Sequence, residues 1–217
     1  MTIKCRKRDA ERTKQLLLNA ASEIFIDQGF DAARVDEIAK RAGVNKRLIY
    51  LYFGNKEDIY REVLKERLNH FMDTSRQYMD TDQPPKEQAE GLLRHFFYYL
   101  AGNPGFVRLL AWESLQRARA DQSDLVPLIR AGLVDLSGCL QRGIEQGVFR
   151  PDLNQKQLLL SVVGLCLTYF QRRLLMSALW NMDVDDPRQQ EEAFQHVLTL
   201  IFDGILTKPT GQSEESR

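Results

Sequence analysis

The chain has 217 residues, 43% of them hydrophobic and 28% charged, with 30 Lys and Arg balanced by 30 Asp and Glu. That composition is too apolar for a disordered tail and can bury one or two sizeable cores. Three scattered cysteines, Cys5, Cys139 and Cys166, have no metal-like or disulfide spacing, so a reducing compartment and no metal are expected. The basic start lacks an apolar signal core, and the longest apolar run, Leu158 to Phe170, is too short to span a bilayer. It reads as a buried helix of a cytoplasmic protein with no membrane partner.

In chain order, a first helix is expected from about Ala10 to Gln28, with Leu16, Leu17, Ala20, Ala21, Ile24 and Phe25 on one apolar stripe. Gly29 ends it and Phe30 packs back. Val35, Ile38, Ala39 and Ala42 place a narrow stripe on a short second helix that stops at Gly43. Asn45 then caps a third helix with Ile49 and Phe53 inward, and with Lys46, Arg47, Tyr50 and Tyr52 outward. Two short helices across a glycine turn, the second basic and aromatic on its open side, make a helix-turn-helix.

Charge agrees with that reading. From Lys40 to Lys56 there are five basic residues and no acidic one. Through Tyr60 there are twelve Lys and Arg against nine Asp and Glu, leaving eighteen against twenty-one for the rest, a basic head on a mildly acidic body. A cationic helix face is commonly just solvated. Coinciding with the turn signature and two outward tyrosines, it points to DNA phosphates and their released counterions.

Asn55 caps a fourth helix running to about Tyr78, and residues 81–85 break the chain. A fifth helix follows from about Lys86 to Ala101. Asn103 and Pro104 are read as N-cap and first turn of a sixth, then comes a polar interval from Arg117 to Asp124 and a seventh helix ending near Gly147. Asn154 with Gln157 opens an eighth helix, Asp186 with Pro187 a ninth, and residues 208–217 form a disordered polar tail. No segment alternates like a strand. The expected fold is all-α with about nine helices: a helix-turn-helix domain over 1–55 and a helical domain over 56–207.

No phosphate-cradling loop, nucleophile elbow or zinc-protease motif is present, and His70, His95 and His196 lie far apart. No catalytic residue and no cofactor are expected. For DNA, Lys46 and Arg47 open the recognition helix, where arginine can grip a guanine edge through two nitrogens. Tyr50 lies one turn on, and Arg34 stands before the second helix, near a phosphate. The eighth and ninth helices carry more apolar positions than one stripe requires, which suits a homodimer reading a palindrome.

From Leu16 to Tyr60 the chain resembles the TetR family of bacterial transcriptional regulators, in AASEIFIDQGF, VDEIAKRAGV and LIYLYFGNKEDIY. It departs at Arg47-Leu48, where the family usually has a small pair, and at Arg34, often threonine. The resemblance implies phosphate contacts from Tyr52 and Lys56, Asn45 grouped with the DNA-binding set, and a four-helix bundle formed by the last two helices with their copies. It also implies a cavity for a small, mostly apolar or aromatic effector, with Phe71, Phe96, Tyr99, Trp112, Leu167 and Phe170 on the helices around it. Arg173 and Glu113 are candidate polar anchors. The function implied is a ligand-responsive, sequence-specific regulator, expected to be a repressor released from its operator. A constitutive DNA binder with a ligand-free body and an all-helical enzyme are the competing readings.

Overall fold

The computed structural model describes residues 2–79, 82–115 and 125–207. The polar interval 117–124 and the tail 208–217 lie outside the described residues. The helices are α1 (Thr2–Ala32), α2 (Val35–Ala42), α3 (Arg47–Tyr52), α4 (Lys56–Ser75), α5 (Pro85–Gly102), α6 (Pro104–Leu115), α7 (Leu125–Glu145), α8 (Gln155–Gln171), α9 (Arg173–Trp180) and α10 (Pro187–Ile205). A single 3-10 turn, Arg76–Tyr78, continues α4 to the expected end. Among the described residues there is no strand, only a lone bridge between Phe149 and Leu206. The fold is all-helical, as expected, with ten helices among the described residues where about nine were expected.

The residues group into two compact units, Met1–Phe71 with Pro104–Ile129, and Met72–Asn103 with Arg130–Arg217. The first, the head, is built on α1. Leu17, Ala20, Ala21, Ile24 and Phe25 are buried at the predicted period, whereas Leu16 is 42% exposed. Leu16 precedes Leu17 by one residue and so points about 100° away from the buried stripe. Phe25, Phe30 and Tyr60 form an aromatic cluster with centroids 5.0–6.0 Å apart.

Gly29 breaks the regular backbone of α1 at φ 79°, ψ 172°, a region that only glycine enters without strain. A Cβ there would also come within 2.4 Å of the Trp112 indole on α6. Two further ties hold α6 to the same corner. Arg108 donates to the Ile26 carbonyl at 3.3 Å, and the Tyr60 hydroxyl donates to the Leu109 carbonyl at 2.9 Å. The sixth helix is therefore part of the head's core, a role its sequence does not announce.

In the second unit, the body, α5, α8 and α10 meet around Phe97, Phe170 and Phe194, with Phe97 5.0 Å from Phe170 and 5.6 Å from Phe194. Asn154 accepts from the Gln157 amide and Asp186 from the Arg188 amide, as the capping signals require. Asn103 differs from expectation: its side-chain nitrogen turns back to the Tyr99 carbonyl at 2.8 Å, closing α5. Helix α8 is not the buried helix its composition suggests. Only Cys166 and Phe170 on it are buried, and Leu160 is 64% exposed. After Arg172 the chain bends by 68° into α9, with no glycine or proline to signal the break. Among the described residues no single helix is long and apolar enough to cross a membrane.

Gly29→Ala is expected to combine backbone strain with overpacking against Trp112, at about 2–5 kcal/mol of head stability, measured by urea unfolding. Burial pushes the Cys166 thiol up to about 12, so in the folded protein it should resist thiol reagents at neutral pH. Its contribution to stability is complete below the ordinary thiol range near ~8.5 and falls as pH rises toward about 12. Labelling kinetics and unfolding curves across that interval check both statements.

Candidate nucleic-acid interface

The reading element is short and held by few contacts, each visible in the sequence. Gly43 adopts the left-handed conformation, φ 68°, and lets the Val44 amide reach the Ala39 carbonyl at 3.1 Å. The Asn45 side chain accepts from the Arg47 amide at 2.9 Å, capping α3. Ile49 is fully buried beneath α3, while Tyr50 is 53% exposed and Lys46 and Arg47 face solvent. The six-residue helix thus buries Ile49 fully and Leu48 and Tyr52 partly, and presents Arg47, Tyr50 and Leu51.

Two cations of this surface are held by carboxylates of the head. The Lys46 ammonium lies 2.9 Å from Asp36 on α2, and that hydrogen bond and charge raise its pKa. Arg41 contacts Glu23 at 3.1 Å. Both pairs are exposed, so they position the cations at small energetic gain. Lys56 is half-buried: its ammonium donates to the Asp31 carbonyl at 3.1 Å and lies 4.6 Å over the Phe30 ring. Tyr52 is also half-buried, with Lys14 5.8 Å over its ring. Arg34 is exposed in an extended conformation as the residue before α2, its carbonyl accepting from the Glu37 and Ile38 amides.

The seven predicted DNA-binding residues all lie in the head. The six predicted effector residues divide between the units. Phe71 and Trp112 belong to the head, where Trp112 covers Gly29, and Phe96, Tyr99, Leu167 and Phe170 belong to the body. Phe170 packs on Phe97, and Tyr99 stands 5.9 Å from His95. Of the two candidate anchors, Arg173 pairs with Asp185. Glu113 is half-buried, and its carboxyl is raised by desolvation against the opposing pull of Arg61. Sequence reading missed the Asp36 and Glu23 pairings, which lie on neighbouring elements and leave no mark in a local window.

Residues 17–63 match the family model for bacterial regulatory proteins of the tetR family, and residues 85–201 match the tetracyclin repressor-like C-terminal domain. The chain belongs to the TetR family. It is a helix-turn-helix transcriptional regulator. It is 28% identical over 203 residues to the HTH-type transcriptional repressor NicS of Pseudomonas putida, covering 92% of this chain and 95% of that protein. With the fatty acid metabolism regulator protein of Bacillus subtilis it shares 29% identity over 138 residues, covering 64% and 71%. The crystal structure of FadR from Bacillus subtilis in complex with stearoyl-CoA has the same fold, with a TM-score of 0.72 at 24% identity, covering 88% of this chain and 98% of that one.

Asn45→Ala removes the cap of a helix only six residues long and should cost about 1 kcal/mol. Chemical denaturation measures that loss, and operator affinity should fall with it because the α3 backbone frays.

Proposed function

We propose that the protein is a homodimeric repressor that reads a palindromic operator with α3 of each copy and releases it when a small, mostly apolar or aromatic effector binds the body. The observation that carries the reading is the open face of α3, Lys46, Arg47 and Tyr50 exposed above a fully buried Ile49. A helix so anchored can enter a major groove without losing its own packing. Arg47 takes a base edge, Lys46 and Tyr50 the bases or groove rim, and Arg34, Tyr52 and Lys56 the phosphates. Asn45 sets the register of these groups. Lys56 would trade its carbonyl contact for a phosphate oxygen, or hold the backbone that presents one.

Dimerisation through α8 and α10 is supported by the exposed positions along both: Leu160, Ser161, Gly164, Leu165 and Thr168 on one, His196, Thr199, Leu200 and Gly204 on the other. Each set recurs at three- and four-residue steps, the pattern of a helix seam. A long acyl chain is the first effector class to test, since FadR from Bacillus subtilis is described in complex with stearoyl-CoA. Phe96, Tyr99, Leu167 and Phe170 are the lining residues we propose. Effector binding would favour one body conformation and so change the spacing of the two heads. No catalytic step is needed, and the cytoplasm is where such a protein meets DNA.

One observation favours the constitutive reading: Phe97, Phe170 and Phe194 already pack ring on ring, and an effector would have to open that cluster. Operator titration with and without saturating acyl-CoA or free fatty acid separates the two. Release of DNA supports the regulated reading, and unchanged affinity across the apolar and aromatic candidates supports the constitutive one.

Arg47→Ala should lose roughly 1–3 kcal/mol of discrimination between operator and mutated operator. Lys56→Ala should weaken all sequences alike and lower the log-affinity versus log-salt slope by about one. Fluorescence anisotropy at several salt concentrations reads both.

A further inference from the structure

An acidic side chain stands inside the cationic reading surface. Asp36 lies in the first turn of α2 with its side chain 71% exposed, and its Oδ1 is 2.9 Å from the Nζ of Lys46, itself 57% exposed at the start of α3. For the stability of the head this pair matters little, because exposed ion pairs gain almost nothing over water. For binding a polyanion it is a handicap, since the carboxylate offsets the lysine beside it and meets the phosphate field itself. From Lys40 to Lys56 the sequence has five basic residues and no acidic one, so the carboxylate reaches the reading face from the neighbouring helix. A lysine ammonium has three protons and a carboxylate about four lone-pair sites, so their mutual contact leaves both with capacity to spare. Their separation is that of an ordinary N–H···O hydrogen bond, about 2.9–3.0 Å, which is also the bond joining guanine O6 to cytosine N4 in a base pair. A donor and an acceptor on the protein therefore match an acceptor and a donor on one base-pair edge.

We infer that Asp36 is a specificity-determining residue that reads one G·C pair as a unit with Lys46: the ammonium donates to guanine O6 and N7, and the carboxylate accepts the free N4 proton of the paired cytosine. This rests on α3 entering the major groove, as proposed above. A T·A pair in the same place offers O4 and N6 in the same order. There, however, the thymine methyl replaces guanine N7 beneath the lysine, and adenine N7 sets a second acceptor against the carboxylate. A reversed pair, C·G or A·T, puts an amino group under the ammonium and a carbonyl under the carboxylate, so both contacts turn repulsive. In the specific complex neither charge is left without a partner, which limits the cost of taking both out of water. Away from the operator only phosphate is on offer. It must displace Asp36 to reach Lys46, and non-specific binding is weakened accordingly.

The test uses the full-length protein and duplexes selected from a randomised library, with wild type, Asp36→Ala, Asp36→Asn, Lys46→Met and the double variant Asp36→Ala, Lys46→Met run side by side. Fluorescence anisotropy then measures each protein on the wild-type half-site, on its single base-pair changes and on an unrelated duplex. Wild type should enrich a half-site containing one G·C pair at which Asp36→Ala loses about 10-fold or more of its discrimination, with the other positions unchanged. Lys46→Met should lose preference at the same pair, and the double variant no more than either single one, because the two side chains act together. On the unrelated duplex Asp36→Ala should bind about 3-fold or more tighter than wild type, with a log-affinity versus log-salt slope steeper by about one per head. Asp36→Asn, whose amide oxygen can accept the same N4 proton, should keep part of the preference and share the rise in non-specific affinity. That keeps the test decisive should alanine disturb the start of α2. Asp36 variants that discriminate at every position as wild type does, or that weaken all duplexes alike as a purely structural pair would, overturn the inference and leave reading by α3 standing. A preference lost at one pair in Asp36→Ala and at a different one in Lys46→Met overturns it too. A wild type that enriches no sequence removes both readings.

Discussion

The head depends on one close approach: the Trp112 indole seated on Gly29, where a Cβ would come within 2.4 Å. The glycine is required twice, for its backbone angles and for its missing side chain. Its break lets Phe30 fold back onto Phe25 and Tyr60, and it brings Asp31 to where Lys56 can reach its carbonyl. Ala33 and Arg34 follow, so the start of α2 is set by the same corner. Arg108 on Ile26 and Tyr60 on Leu109 brace it from α6 and α4. The helix-turn-helix is thus positioned from behind by a helix more than fifty residues downstream.

With that corner fixed, the open side of the head presents charge at little cost. Ile49 supplies the anchoring burial of α3, the Asn45 side chain accepts from the Arg47 amide at its start, and Gly43 closes α2 just before it. Asp36 and Glu23 hold Lys46 and Arg41, which removes part of the positive field but orders two long side chains in advance. On the proposed reading, DNA phosphates would have to displace these carboxylates, so the affinity gained would be less than the count of basic residues suggests, and the entropy lost on ordering the side chains would also be less.

Much of this was legible locally. Buried Leu17, Ala20, Ala21, Ile24 and Phe25 follow a period that any amphipathic helix displays, and Asn45, Asn55, Asn154 and Asp186 each cap the helix their position announces. What failed has a common cause: a pattern says that a face is covered but not by what. Leu158 to Phe170 reads as buried because it is apolar, yet α8 turns Leu160 outward. The resemblance places Trp112 on a helix around the cavity, and no local pattern announces its contact with Gly29, more than eighty residues away. Asn103 precedes a proline and so reads as an N-cap, but its amide nitrogen serves the helix behind it. The α8–α9 break had no glycine or proline to betray it. Tertiary ties mark it instead, Arg173 to Asp185 and Tyr169 to the Gln189 carbonyl.

In the body, Asn103 is tied to Tyr99, and Phe97 on the same helix packs against Phe170 and Phe194. On the reading proposed above, an effector would open that aromatic cluster. An effector needs only about 1–3 kcal/mol of preference for the opened body to shift operator affinity 5- to 150-fold. Part of its binding energy must first replace the ring contacts it displaces, about 0.5–1.5 kcal/mol for each aromatic pair. A ligand with enough apolar surface to refill that space can meet both demands, and a small polar one cannot. On that reading the filled core would be a selectivity filter as much as a stabilising element.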